Sequence, residues 1–176
     1  MKKVIAAVRT EEEFLAALES SVDIIFHLMP NIISLKKDAD MAHQKGKKMF
    51  IHFDFAEGVG KDRYGILYTK AVGVDGIIST RVNIIRLARE ADMFTVQRFF
   101  IVDSRSVDTS VESLKASKAD MIEIMPGILC KIIKKLKQEV SVPIIAGGLI
   151  ENDTELKSAL EAGASAVSTA CRILWK

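Results

Sequence analysis

Short runs of apolar and β-branched residues recur along the chain, separated by segments with the periodicity of amphipathic helices. Eight such runs predict strands, at residues 4–8, 23–29, 48–55, 76–80, 94–101, 121–125, 142–147 and 166–170. Between several of them, apolar residues recur at spacings of three and four, as they do on the buried face of a helix. Thr10 and Asn152 each precede an acidic first turn, so both are predicted to cap a helix N-terminus.

The regular alternation of strands and helices predicts an α/β fold. Eight strands with seven helices between them suit a closed (β/α)8 barrel of the TIM type. The 176 residues leave 22 for each of eight units, and only CRILWK follows the last strand, so the barrel is predicted to be compact with a curtailed last helix. No linker rich in proline, glycine or serine divides the chain, and residues 1–176 are expected to form a single barrel domain. An open doubly wound sheet is the alternative.

Composition narrows the class of protein further. The 25 basic and 23 acidic side chains leave a net charge of +2, which excludes the strong positive field of a non-specific nucleic-acid binder. No apolar run approaches the roughly 18 residues of a membrane span, and the one near the N-terminus is too short for a signal peptide. Cys130 and Cys171 lie far apart without metal-ligand spacing, as is typical of reduced thiols. We therefore expect a cytoplasmic protein without a membrane partner.

Polar side chains cluster where the predicted strands end, which is where barrels of this type bind ligands. In strand three, His52 and Asp54 alternate with apolar neighbours and are predicted to face inward, and Glu123 does the same in strand six. The other candidates at strand ends are Arg9, Ser79, Thr80, Arg81, Gln97 and Arg98. One such residue is usually a satisfied core group, but convergent polar ends on several strands favour a ligand site because buried charge must be paired. A purely structural network is the alternative.

The strand ends near the C-terminus indicate what this site binds. Strand seven ends in AGG, with Gly147 and Gly148, and strand eight ends in STA, with Ser168 and Thr169. In these barrels the loops after strands seven and eight commonly bind phosphate through backbone amides and a helix N-terminus. The glycines are predicted to let an anion approach, and the two hydroxyls to donate to it. Alternatively, the glycines serve a turn and the hydroxyls a cap.

Six motifs together resemble the glycerol-3-phosphate-responsive antiterminators, the glycerol uptake operon regulators of bacteria. They are IHFDFAEGVGKDRYGI, DGIISTR, VQRFFIVDS, IEIMPG, PIIAGGLI and GASAVSTACRILW, and they extend over nearly the whole chain. The resemblance implies the same phosphate-binding barrel and a non-enzymatic regulator without catalytic residues or cofactor. Its effector would be glycerol 3-phosphate, and its partner the leader mRNA of a glycerol operon, where it antiterminates transcription. By position, the matching residues are Asp54, Gly58, Asp62, Arg81, Gln97, Arg98, Glu123, Gly147, Gly148, Ser168 and Thr169.

Two positions depart from the pattern of that family. His27 in strand two is not expected there, and we interpret it as a core residue rather than a ligand. Ala170 stands where a serine is expected after VST, which removes one donor near the predicted phosphate and leaves the ligand's identity open.

A ligand sensor is the first hypothesis that these observations support. Backbone amides would hold the phosphate, Asp54 and Glu123 the hydroxyls, and Arg81 or Arg98 would offset the remaining charge. His52 and Arg9 complete the predicted ligand-binding set. The segment EGVGKDRYG is predicted to close over the ligand, and the lysines of KIIKKLK are a candidate RNA surface, although such a face is more often simply solvated.

Two other hypotheses stay open at this stage. The chain could be an isomerase, synthase or lyase acting on a small phosphorylated substrate, with Asp54 or Glu123 as acid or base. A metal held by His52, Asp54 and Glu123 lacks supporting ligand spacing, so no metal site is predicted. The chain could also be a barrel that keeps the anion pocket but has lost RNA binding. The short end after strand eight leaves room for a partner subunit, so a homo-oligomer is possible.

Overall fold

Eight parallel strands close into a barrel in sequential order in the computed structural model, which describes residues 3–176. The strands are β1 Val4–Val8, β2 Ile24–His27, β3 Lys48–His52, β4 Gly76–Ser79, β5 Phe94–Phe100, β6 Met121–Met125, β7 Ile144–Gly147 and β8 Ala166–Thr169. β8 pairs with β1 and completes the ring. The predicted (β/α)8 barrel is therefore confirmed, and the open sheet is excluded.

In the described residues 3–176, seven helices alternate with the strands, as the sequence pattern predicts. They are α1 Glu11–Glu19, α2 Leu35–Gln44, α3 Arg63–Ala71, α4 Val82–Glu90, α5 Ser104–Ser117, α6 Cys130–Glu139 and α7 Asp153–Glu161. Thr10 and Asn152 cap α1 and α7 through their side chains, which confirms both predicted caps. Within the described residues, β8 is followed by one 3-10 turn, Arg172–Leu174, so the last helix is indeed curtailed.

The inside of the barrel is layered along its axis. Apolar side chains fill the lower part, among them Phe50 of β3, Val96 of β5 and Met121 of β6. Successive side chains of a strand point to opposite faces, so the next inward residues lie two positions later. In β3, β5, β6 and β8 these are His52, Arg98, Glu123 and Ser168, all buried. A polar layer thus lies on top of an apolar core, at the carboxyl end of the strands.

Strand three is shorter than its alternating sequence predicts. It ends at His52, and Phe53–Phe55 form a 3-10 turn. Phe53 is buried as expected, but Phe55 is 58% exposed instead of packing under the helices. The turn breaks the two-residue period, so Asp54 does not continue the inward row of His52. That part of the prediction was wrong.

Candidate functional site

A buried ion pair forms the floor of the polar layer. The Arg98 Nε donates to Glu123 Oε2 at 2.6 Å, and the Ser168 hydroxyl donates to Glu123 Oε1 at 2.5 Å. Glu123 has no exposed surface. A buried carboxylate is costly unless it is paired and hydrogen-bonded, and here both oxygens have a donor. The network brings together three of the predicted site residues, from β5, β6 and β8.

Gly147 makes room for this network. A Cβ atom at Gly147 would lie 2.5 Å from Glu123 Oε1 and 2.8 Å from Ser168 Oγ, both far inside van der Waals contact. Gly148 has a different role, because its φ of +74° is a conformation that other residues rarely adopt. The first glycine makes room for the carboxylate, and the second turns the chain away from the strand.

An open cavity of about 560 Å³ lies above this floor. Its walls come from the ends of β1, β2, β5, β6, β7 and β8 and the loops that follow them. The lining residues are Ala7, Arg9, Leu28, Arg98, Glu123, Met125, Gly148, Leu149, Ile150, Glu151, Ser168, Thr169, Ala170 and Cys171. Within the described part of the chain, the backbone amides of Gly148, Leu149 and Ala170 donate no hydrogen bond. The cavity therefore combines two guanidinium groups with three unpaired amides.

The two hydroxyls predicted to donate to an anion are already engaged inside the protein. Ser168 donates to Glu123, and the Thr169 hydroxyl donates to the carbonyl of Ile150 at 2.6 Å. The N-terminus of α7 is occupied in the same way, because Asn152 accepts from the Glu155 amide. In this structure the hydroxyls and the α7 terminus stabilise the loops after β7 and β8, and the unpaired donors at the cavity are backbone amides.

Asp54 and Arg81 form a separate group at the start of α4. Asp54 Oδ1 accepts from the Ser79 hydroxyl at 2.6 Å and from Arg81 Nε at 3.2 Å, while Oδ2 accepts from the amide and hydroxyl of Thr80. Burial alone would raise the pKa of Asp54, but the hydrogen bonds from Ser79 and Thr80 outweigh it and hold the pKa below its ordinary value. This carboxylate holds the turn between β4 and α4, and it does not line the cavity.

His52 is buried between the floor and the Asp54 group. Burial, together with the nearby Arg98 guanidinium, lowers the pKa of His52 to about 4, and Asp54 opposes part of this shift. The imidazole is thus neutral at neutral pH. Its Nδ1 is buried without a hydrogen-bond partner, and its ring lies 4.7 Å from that of Phe55. Among the predicted ligand residues that point into the barrel, within the described chain, His52 alone has a buried side-chain nitrogen without a hydrogen-bond partner.

Gln97 does not reach the site. It lies on the outward face of β5, next to Arg98, and its side-chain oxygen accepts a hydrogen bond from Ser117 of α5. Two adjacent residues of a strand point to opposite sides, so only one of Gln97 and Arg98 can face the barrel interior. The prediction that both belong to the ligand site was wrong for Gln97.

The predicted core role of His27 fits its surroundings. It is buried on the outward face of β2, with its ring centroid 5.5 Å from that of Phe14 in α1 and its Nε2 3.6 Å from Asp38 Oδ2 in α2. Burial would raise the pKa of Asp38, but hydrogen bonds from His27 and Ser34 keep it below the ordinary value. His27 therefore belongs to the packing between the barrel and its first two helices.

Sequence reasoning missed part of the cavity wall and one cation near Asp54 and Arg81. Leu28, Met125, Leu149 and Ile150 line the cavity without any chemical signal in their side chains. Lys61 donates to the Ala56 carbonyl and lies 5.0 Å from the centre of the Phe53 ring. Burial and the neighbouring Arg81 lower the pKa of Lys61. The sequence did offer one signal for Lys61, namely its position within the EGVGKDRYG segment that is predicted to close over the ligand.

The described residues lack two features that would point to other functions. They contain no group of three or more histidine, cysteine or acidic side chains arranged to hold a metal ion. None of their helices is long and apolar enough to cross a membrane. The lysines of α6 are exposed, whereas Ile133 and Leu136 of the same helix are buried.

A family model described as glycerol-3-phosphate responsive antiterminator matches residues 4–175. Among solved structures, a glycerol uptake operon antiterminator regulatory protein from Listeria monocytogenes is 32% identical with a TM-score of 0.93, covering 99% of this chain and 95% of its own. A related protein from Thermotoga maritima is 31% identical with a TM-score of 0.88, covering 99% and 98%.

Other similarities carry no functional name or concern the fold alone. An Escherichia coli protein named "Uncharacterized protein YgcP" is 34% identical over 173 residues, which are 98% of this chain and 91% of that protein. A deoxyribose phosphate aldolase from Aeropyrum pernix has a TM-score of 0.76 at 13% identity, covering 98% of this chain and 87% of its own. At that identity the aldolase shows a shared barrel and nothing about chemistry.

Proposed function

Because this chain belongs to the glycerol-3-phosphate responsive antiterminator family, we propose that it binds glycerol 3-phosphate in the cavity at the carboxyl end of its barrel. In the ligand-bound state it acts on the leader mRNA of a glycerol operon so that transcription continues past a terminator. It works in the cytoplasm, where both ligand and transcript are found. The family name supports a regulator rather than an enzyme.

The observation that carries this proposal is the set of unpaired amides at the cavity. The amides of Gly148, Leu149 and Ala170 come from the loops after β7 and β8, where barrels of this type hold phosphate. Successive backbone amides in a turn form a concave site for an anion. Arg98 and Arg9 line the same cavity and supply positive charge, which a phosphate ester requires.

The glycerol part of the ligand has polar partners in the layer below. Glu123 lines the cavity as an acceptor, and each of its oxygens keeps lone-pair capacity beyond its present donor. His52 is neutral and has a buried, unpartnered ring nitrogen in the same polar layer, but it does not line the cavity. We assign hydroxyl recognition to Glu123, and we assign to Asp54 and Arg81 the positioning of the neighbouring turn.

The RNA contact surface is the second part of the proposal. Lys131, Lys134, Lys135 and Lys137 lie on the solvent side of α6, and the net charge of +2 predicts modest non-specific affinity. Lys135 is 3.6 Å from Asp108 and 3.8 Å from Glu139, so part of this face is internally balanced. Phosphate contacts from these lysines would make the RNA affinity fall as salt is added.

Calorimetric titration tests the ligand assignment, with two substitutions at one exposed position of the cavity wall. Glycerol 3-phosphate is expected to bind the wild type much more tightly than glycerol or inorganic phosphate does. Ala170→Asp places a carboxylate beside the unpaired amides and is expected to weaken binding by about 100-fold or more. Ala170→Ser adds a hydroxyl donor at the same place and is expected to tighten binding by about three- to tenfold.

The two variants are matched controls for each other, because both change the same exposed side chain. Equal affinity of wild type and Ala170→Asp would remove the phosphate assignment from this cavity. Incubation of the protein with glycerol 3-phosphate, followed by NMR, separates a sensor from an enzyme. Consumption of the ligand at a rate proportional to protein concentration would replace the regulator proposal with a catalytic one.

A further inference from the structure

A patch of exposed apolar side chains lies on α3 and on the loop that follows β2. Ile33 is 92% exposed, Tyr64 80%, Leu67 40%, Ile32 39% and Tyr68 36%. We refer to these five residues as the α3 patch. Single exposed apolar residues are ordinary in soluble proteins, but a group of them on one surface marks an interaction site.

The members of the α3 patch form one ordered surface. Tyr64, Leu67 and Tyr68 are spaced by three and four residues and so share a face of the helix. The Tyr68 hydroxyl donates to the Ile32 carbonyl at 3.3 Å, which joins the helix to the loop. Ile32 also packs against Gly58, where a Cβ atom would lie only 2.6 Å from Ile32 Cγ2. The loop is therefore held against α3 and the segment before it, and Ile33 extends the surface outward.

The size of the α3 patch is suited to a protein partner. A fully exposed aromatic side chain presents roughly 150–250 Å², so these exposed fractions amount to several hundred Å² of apolar surface. That is more than half of the roughly 800 Å² that each partner contributes to a standard interface. The polar rim supplies the rest, because such interfaces are only a little over half apolar.

The charges around the patch distinguish between kinds of partner. Exposed side chains of both signs surround it: Lys36, Lys37, Arg63 and Lys70 against Asp40, Glu57 and Asp62, with Lys36 paired to Asp40 in the same chain. An RNA surface requires a large excess of positive charge, whereas this rim is close to balance. A mixed rim suits a self-complementary surface, in which a twofold axis places cations of one chain opposite anions of the other.

We propose that two copies of this chain associate through the α3 patch about a twofold axis. The interface lies near the carboxyl ends of β2 and β3. It is not at the short segment after β8, where the sequence analysis predicts room for a partner subunit. That room is largely filled, because Leu174 and Trp175 are buried in the clusters that contain α7 and α1 residues. The proposal does not depend on the identity of the ligand.

Sedimentation velocity and light scattering on the full chain test this proposal. The wild type is expected to have twice the monomer mass of 19.4 kDa at micromolar concentration. Ile33→Asp is expected to raise the dimer dissociation constant by about tenfold or more, because a twofold interface contains every substitution twice. Ile173→Asp is the matched control, since Ile173 is also exposed, at 67%, but lies at the short end of the chain.

Each other outcome overturns the proposal. A wild type that sediments at the monomer mass at all concentrations excludes the dimer, as does an Ile33→Asp variant that stays dimeric. Dissociation by Ile173→Asp alone would place the interface at the short end. If the wild type is monomeric and Ile33→Asp weakens binding of a fluorescent single-stranded RNA, the patch belongs to RNA instead.

Two additional measurements keep the test independent of folding and of the proposed function. Circular dichroism of each variant shows whether it folds, and Tyr64→Glu replaces Ile33→Asp if the latter does not. Calorimetry with glycerol 3-phosphate on the same samples shows whether the ligand cavity is intact. A dimer that binds no glycerol 3-phosphate would contradict the proposed function and leave this inference standing.

Discussion

Glu123 is a charged residue with no exposed surface, and its neighbours explain how the barrel accommodates it. Arg98 supplies the opposite charge, Ser168 the second hydrogen bond, and Gly147 the space. Alternation with apolar residues made the inward direction of Glu123 predictable from the sequence, but it did not distinguish Arg98 from the adjacent Gln97. It could not predict that Gly147 serves the carboxylate, since that contact joins β6 to β7 and only the fold brings them together.

Substitution of Gly147 tests this account of the floor. Gly147→Ala is expected to destabilise the protein by about 1–3 kcal/mol, because its Cβ would overlap Glu123 and Ser168 in a site that cannot expand freely. Urea unfolding measures the difference. Gly60→Ala is the control, since a Cβ there would lie 3.3 Å from the Asp62 carboxylate oxygens on an exposed loop. Equal losses for the two variants would contradict the role assigned to Gly147.

His52 makes the stability of the protein depend on pH in a predictable direction. Its pKa is about 4 in the folded state and 6.5 in an unperturbed chain, so the unfolded state binds more protons below pH 6.5. Stability linked to His52 is complete above pH 6.5 and is lost as the pH falls towards 4. Between pH 7.5 and pH 5 the loss is about 2 kcal/mol.

His52→Gln isolates this contribution from that of the carboxylates. The variant has no imidazole to protonate, so its stability is expected to fall less than that of the wild type between pH 7.5 and pH 5. Urea unfolding of both proteins at the two pH values gives the difference. Parallel pH profiles would show that the buried histidine is not neutral in the folded state.

The elements themselves were largely predictable, because strands, helices and caps are encoded locally. All eight strands and both named caps agree with the pattern of the sequence. The exception is the end of β3, where apolar and polar residues continue to alternate in the sequence but the chain turns at Phe53. Asp54 hydrogen-bonds to Ser79 and Thr80 at the end of β4, so contacts to another strand determine this turn. These contacts between strands leave no pattern in the local sequence from which they could be predicted.

The candidate site was less predictable than the elements that support it. Charged side chains pointed to the end of the barrel at which the cavity lies, but the unpaired donors there are amides of Gly148, Leu149 and Ala170, which every residue type except proline carries. The hydroxyls of Ser168 and Thr169 looked like donors to a ligand and instead donate within the protein. Hydrogen-bond partners of short side chains depend on geometry that residue types do not specify.

The whole molecule is closed by its last residues, in place of an eighth helix. Trp175 is buried in the cluster that contains Phe14 and Ala17 of α1, and its carbonyl accepts from the Ser21 amide at 3.0 Å. Its indole nitrogen donates to the Thr169 carbonyl at 2.9 Å. One side chain thus connects the end of β8 with the first helix, at a sequence separation close to the full length of the chain. A curtailed helix is sufficient to close the barrel because Trp175 covers the junction between β8 and α1, which we call the seam.

Trp175→Ala is therefore expected to destabilise the entire barrel. Loss of a buried tryptophan typically costs about 3–5 kcal/mol, and here it also removes the hydrogen bond that links β8 to the closing segment. Trp175→Phe keeps most of the apolar volume and is expected to cost about 1–2 kcal/mol, chiefly for the unpaired Thr169 carbonyl. Urea unfolding followed by circular dichroism measures both, since Trp175 is the one tryptophan of the chain and fluorescence is lost with it. An unfolding free energy of Trp175→Ala equal to that of Trp175→Phe would mean that the hydrogen bond, and not the covered seam, holds the closing segment in place.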